Sequence, residues 1–71
     1  MKEILFFNTN LSPYILRYHY EGSVSGRQLR DYLHSVYGLR DKKIIMMRLG
    51  QVLLDHEHLT TRSEISWIWL P

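Results

Sequence analysis

The chain has 71 residues and no cysteine. This excludes disulfide staples and thiolate zinc sites, so its core has to hold by packing alone. Prolines are scarce, and neither Pro13 nor Pro71 interrupts an apolar stretch. Long apolar runs are missing: stretches such as Ile44 to Met47 fall far short of the roughly 20 residues of a membrane-spanning helix. The opening residues Met1 to Phe7 have neither the apolar length nor the small-residue cleavage site of a secretory leader. An intracellular location, cytoplasmic or nuclear and away from membranes, is therefore expected. Charge of one sign is also not in excess. Nine basic residues face seven acidic ones, a net +2, milder than the dense basic face of most nucleic-acid binders.

The composition is 45% hydrophobic and 13% aromatic, enough for one core and too apolar for low-complexity disorder. A single domain over residues 1–71 is expected. Residues 4 to 7 are continuously apolar and β-prone, and the turn chemistry of Asn8 to Pro13 ends them. Residues 14 to 20 alternate. Tyr14, Leu16, Tyr18 and Tyr20 fall on one face, with Ile15, Arg17 and His19 on the other, which is the pattern of a half-exposed strand. Ser25 followed by Gln28 is a capping box and opens a helix over 26–37. Leu29, Leu33 and Val36 recur at i, i+4 and i+7 as its buried stripe, while Arg27, Arg30, Asp31 and His34 face solvent. Gly38 suits the left-handed position that ends the helix, and Leu39 folds back on its last turn.

Beyond a basic turn, Lys43 to Leu49 reads as a central strand, Gly50-Gln51 as a turn, and Val52 to Leu54 as a short returning strand. Asp55 to Thr61 reads as loop or a single helical turn. Glu64 to Leu70 alternates again, with Ile65, Trp67 and Trp69 inward, because the opposite choice buries Ser66 without a partner. The expected fold class is α+β, a mixed sheet of four or five strands with one face on a single helix. Its expected core is Leu16, Tyr18, Leu29, Leu33, Val36, Leu53, Leu59, Ile65 and Trp67.

This order of elements, with Leu29, Leu33, Gly38, Leu39, Met46, Met47, Gly50, Leu53, Asp55 and Leu59 at the family's spacing, resembles the ubiquitin-like β-grasp family. Two departures stand out. Members that become conjugated end in a Gly-Gly tail, whereas this chain ends Trp69-Leu70-Pro71; and the lysine after the hairpin glycine is Gln51 here. The resemblance implies a tail-less, non-conjugating binder of other proteins. It places the binding surface on the exposed sheet face, with Met47 in the third strand, Ile68 in the last, Leu11 at the first hairpin loop, and Arg48 and Gln51 near the rim.

Other readings compete for the same residues. Arg27, Arg30, Arg40, Lys42 and Lys43 could form a phosphate-binding end, which makes a small nucleic-acid-binding or nucleoprotein-associated domain the alternative. A phage or viral inhibitor of a host protein is a further version of protein binding, and strand edges with an apolar face also suit a homodimer. The tyrosines could stack single-stranded bases, although burial explains their alternation. Asp55-His56-Glu57-His58 resembles a metal cluster but lacks a third ligand on either face, so it reads as a solvated loop and no metal is expected. No nucleophile elbow, P-loop, dinucleotide fingerprint or zincin helix occurs. One sheet layer and one helix also leave little room for a ligand pocket. Neither an enzyme nor a cofactor is expected.

Overall fold

The capping box predicted at Ser25 forms. In the computed structural model, which describes residues 1–8, 10 and 15–71, Ser25 has extended backbone angles and its Oγ accepts the Gln28 N–H at 3.1 Å. Gln28 Oε1 accepts the Ser25 N–H at 2.9 Å in return. Helix α1 (Gly26–Tyr37) starts there and ends at Gly38, whose φ of 66° is left-handed. The last turn closes as Leu39 donates its N–H to His34 O at 3.1 Å.

Four of the seven strands among the described residues are long enough to carry the fold. They are β1 (Lys2–Phe7), β2 (Ile15–Tyr20), β4 (Lys43–Arg48) and β7 (Ser63–Leu70); β3 (Val24–Ser25), β5 (Gln51–Val52) and β6 (His58–Leu59) have two residues each. One mixed sheet runs β2-β1-β7-β4-β5. β1 and β7 pair in parallel, and the other neighbours are antiparallel. The middle strand is thus β7, and β4, expected to be central, lies one place from the edge. The α+β class and the mixed five-stranded sheet on one helix are both present.

One face of this sheet packs on α1. Leu29, Leu33, Leu53, Leu59, Ile65 and Trp67 are buried as expected, and Leu16 and Tyr18 pack half-buried at the β2 edge. Val36 is a correction, being 45% exposed. The residues at i+7 and i+8 flank the Leu29–Leu33 line on opposite sides. At the last turn it is Tyr37 that meets the sheet, its ring 5.2 Å from that of Trp67. Ile4, Phe6, Tyr20, Val24, Ile44 and Met46 complete the core.

The segment expected as loop or helical turn holds β6, which pairs antiparallel with β3 through Val24–Leu59 and Ser25–His58. This small second sheet fastens residues 54–59 to the start of α1. Gly26 N–H donates to Glu57 O at 2.8 Å and Arg27 N–H to Asp55 O at 3.1 Å. Carbonyls of a distant loop thereby satisfy helix-start donors that have no partner within the helix. The approach is close enough that any Cβ at Gly26 collides with the Leu54 carbonyl.

Candidate protein-binding face

Away from α1, the sheet presents its second face to solvent. Strand register places Ile15 beside Phe7, Phe7 beside Ser66, Ser66 beside Met47, and Met47 beside Val52. Cross-strand partners share a face, so these five residues form one row through all five strands, and four of them are apolar. A second row sets Ile68 beside Ile45, and the next sets Leu70 beside Lys43. Met47 is 38% exposed and Ile68 51%. They lie on adjacent strands, one row apart, as the resemblance implied for the patch.

One end of the face is charged. The carboxylate of Glu3 is held by His19 at 3.0 Å, Arg17 at 3.7 Å and Arg62 at 3.8 Å, and Arg62 also reaches Glu64 at 3.6 Å. Leu5 pairs with both Arg17 and Glu64, so the charged cluster reaches the row next to Ile15, Phe7 and Ser66. The result is an apolar centre with a polar rim along one side, the usual anatomy of a recognition surface.

At the β4–β5 hairpin tip, Leu49 has a φ of 53° and Gly50 one of 78°. Two positive φ values make the turn twist with its strands, but a leucine in the first position costs roughly 1–2 kcal/mol. Leu49 is also 86% exposed. An apolar side chain held in strained backbone with nothing to bury it is a candidate contact residue. Together with Phe7, Met47 and Ser66 it lines a shallow depression of about 320 Å³.

The remaining expected site residues are distributed differently. Arg48 follows Met47 in β4 and turns to the helix side, where its Nε donates to Ser63 Oγ at 3.2 Å. Its charge works against the upward push that burial gives the Tyr20 phenol. Gln51 pairs with Arg48 across the hairpin and is exposed. Leu11 lies outside the described residues. Ile15, Phe7, Ile45 and Val52 were not expected in the site; the alternation in β2 already separated Ile15 from the core, and pairing adds the other three.

The five cations of the nucleic-acid alternative are dispersed. Arg27 lies 3.9 Å from Asp31, Arg30 2.7 Å from Asp55, and Lys42 4.0 Å from Asp41. Arg40 lies beyond the far end of α1 from Arg27, and the 12 residues of the helix span about 18 Å at 1.5 Å per residue. Lys43 sits on the outer sheet face beside Leu70. Tyr18 packs on Tyr32 with ring centroids 4.7 Å apart, and Tyr20 is buried, its hydroxyl donating to Thr61 O at 2.9 Å. Three side chains of the Asp55-to-His58 cluster have other partners, Asp55 with Arg30 among them. Glu57 Oε1 accepts the Leu54 N–H at 2.7 Å, and a ring nitrogen of His58 lies 3.1 Å from His56 O. No three metal-ligating side chains converge among the described residues. No helix among them is long and apolar enough to cross a membrane. Comparison of the chain with family models, with curated proteins and with solved structures gave no match.

Proposed function

We propose that the chain is a ubiquitin-like β-grasp domain acting inside the cell as a non-covalent protein-interaction module, with the outer sheet face around Met47 and Ile68 as its docking surface. The observation that carries this reading is the row Ile15, Phe7, Ser66, Met47 and Val52, joined by pairing across every strand of the sheet. A soluble fold usually covers such a continuous apolar row or uses it. The exposed side chains belong to a rigid sheet, so little conformational entropy is lost when a partner covers them.

The test is capture of partners by the immobilised domain from nuclease-treated lysate, with wild type and Met47→Asp compared and the melting temperature of both recorded. The expected result is a protein partner that survives nuclease and is lost with Met47→Asp, at a melting temperature within a few degrees of wild type. Loss of partner and fold together would return Met47 to a structural role. Partners that vanish with nuclease and ignore the substitution would move the function to nucleic acid and the basic residues, with a steep dependence on salt.

A further inference from the structure

A second surface opens at the β5 edge of the sheet, where β5 is too short to cover β4. Pairing between the two registers only Met47 with Val52 and Arg48 with Gln51, and the last cross-strand bond is Leu53 N–H to Met46 O at 2.8 Å. Beyond it the chain turns away to cap α1 through Asp55 and Glu57. By the period of two, Ile44 presents its N–H and C=O on the same side as Met46, and no strand among the described residues pairs with it there. The gap between this edge, α1 and residues 53–56 is a groove of about 440 Å³, with Ile44, Met46 and Leu53 in its lining and Arg30 and Lys43 beside them.

The groove's charge selects its occupant. Asp55 binds one end of the Arg30 guanidinium, but Arg30 Nε is buried with no acceptor among the described residues. Lys43 is exposed and has no ion pair among the described residues. We propose that this groove takes an extended acidic segment of a partner chain by strand addition to β4. Paired residues share a face, so the residue opposite Ile44 turns its side chain to the helix side, toward Arg30. Its neighbours turn to the outer face, toward Lys43. A carboxylate is therefore favoured at each position, while the backbone bonds to Ile44 are independent of sequence. A second copy of this chain is disfavoured, because pairing two such edges about a twofold axis sets Lys43 and Arg30 against their own images. Lysine on an open edge is a common guard against that pairing.

The experiment is a titration of the labelled domain with the capped pentapeptide Val-Glu-Glu-Glu-Val, whose adjacent glutamates reach both faces, followed by amide chemical shifts, with Val-Lys-Lys-Lys-Val as control. Saturable shifts confined to Lys43–Ile45 and Leu54–His56 are expected with the glutamate peptide alone. Arg30→Gln and Lys43→Glu should each weaken binding about fivefold, the size of one partly exposed charge pair. Lys43 is exposed, so its variant keeps the fold even if Arg30→Gln disturbs Asp55. The proposal is overturned by an equal response to both peptides, by shifts centred on Met47 and Ile68 or on β2, by self-association through this edge, or by no saturable shift. Shifts at Lys43–Ile45 and Leu54–His56 read this edge alone, so their presence or absence is independent of whether the outer face around Met47 and Ile68 binds a partner.

Discussion

At the scale of single residues, Asn8 and Leu49 show opposite uses of a local rule. Asn8 is a polar side chain in the core, 4% exposed, whose Nδ2 donates to Trp67 O at 3.0 Å and whose Oδ1 accepts the Asn10 N–H at 2.7 Å. It ties the end of β1 to the middle of β7. Asn8→Ala leaves the Trp67 carbonyl without that donor and should lower stability by about 1–3 kcal/mol, read from denaturant midpoints at constant slope. Leu49 breaks the preference of its turn and gains no burial in exchange. Leu49→Asn relieves the left-handed strain, so it should stabilise the domain by about 0.5–1 kcal/mol. If the outer face is the docking surface, the same change should weaken partner binding. A variant that gains stability and keeps full affinity would show that the leucine contacts nothing.

At the scale of elements, α1 depends on two different kinds of support at its start. Ser25→Ala removes a local cap and should cost about 1 kcal/mol. Gly26→Ala forces a Cβ into the Leu54 carbonyl and displaces the loop that satisfies Gly26 and Arg27, so about 2–3 kcal/mol is expected. Thermal unfolding of the two variants side by side checks the order. If Gly26→Ala is the milder change, the contact between loop and helix is looser than described. Only the first of these supports was readable beforehand, because a capping box lies within four residues of chain. The second depends on β3 and β6, two-residue strands far apart in the chain that meet in the register Ser25–His58 and Val24–Leu59. Such short pairings have too few residues to show a period. Val36 illustrates the same limit: its i+7 spacing was correct for the stripe, but which side of that stripe the sheet meets depends on packing.

At the scale of the whole molecule, two tyrosines link the core to alkaline pH. Burial raises the Tyr20 phenol above its ordinary value, with Arg48 opposing, and burial and then Tyr32 raise that of Tyr37. A raised pKa in the folded state means that the neutral phenol favours folding. The contribution is complete below the unfolded value near 10 and is lost as pH climbs through the folded values. Stability should therefore fall above about pH 10, and Tyr20→Phe should flatten part of that fall while losing the bond to Thr61 O. Melting temperatures across pH 8–12, in wild type and Tyr20→Phe, check this. A wild-type profile that stays flat through that range would place both hydroxyls in contact with water.

Legible along the chain were the helix with both its ends, a hairpin at Gly50, and the alternating faces of β2 and β7; the turn itself lies one residue earlier than expected, at Leu49-Gly50, because Gln51 already pairs with Arg48. These features are set by capping residues, a left-handed glycine and a period of two, all of which act within a few positions. The sequence also singled out Met47 and Ile68, which the outer face does present. Which strands lie side by side beyond that hairpin is set by tertiary packing. That order turns scattered residues of five strands into one apolar row, sends Arg48 to the opposite face from Met47, and leaves the Ile44 edge open beside Arg30. The physical reason is that strand order and register come from burying one face of each strand against a shared helix. That free energy belongs to the assembled sheet and to no single stretch of the chain.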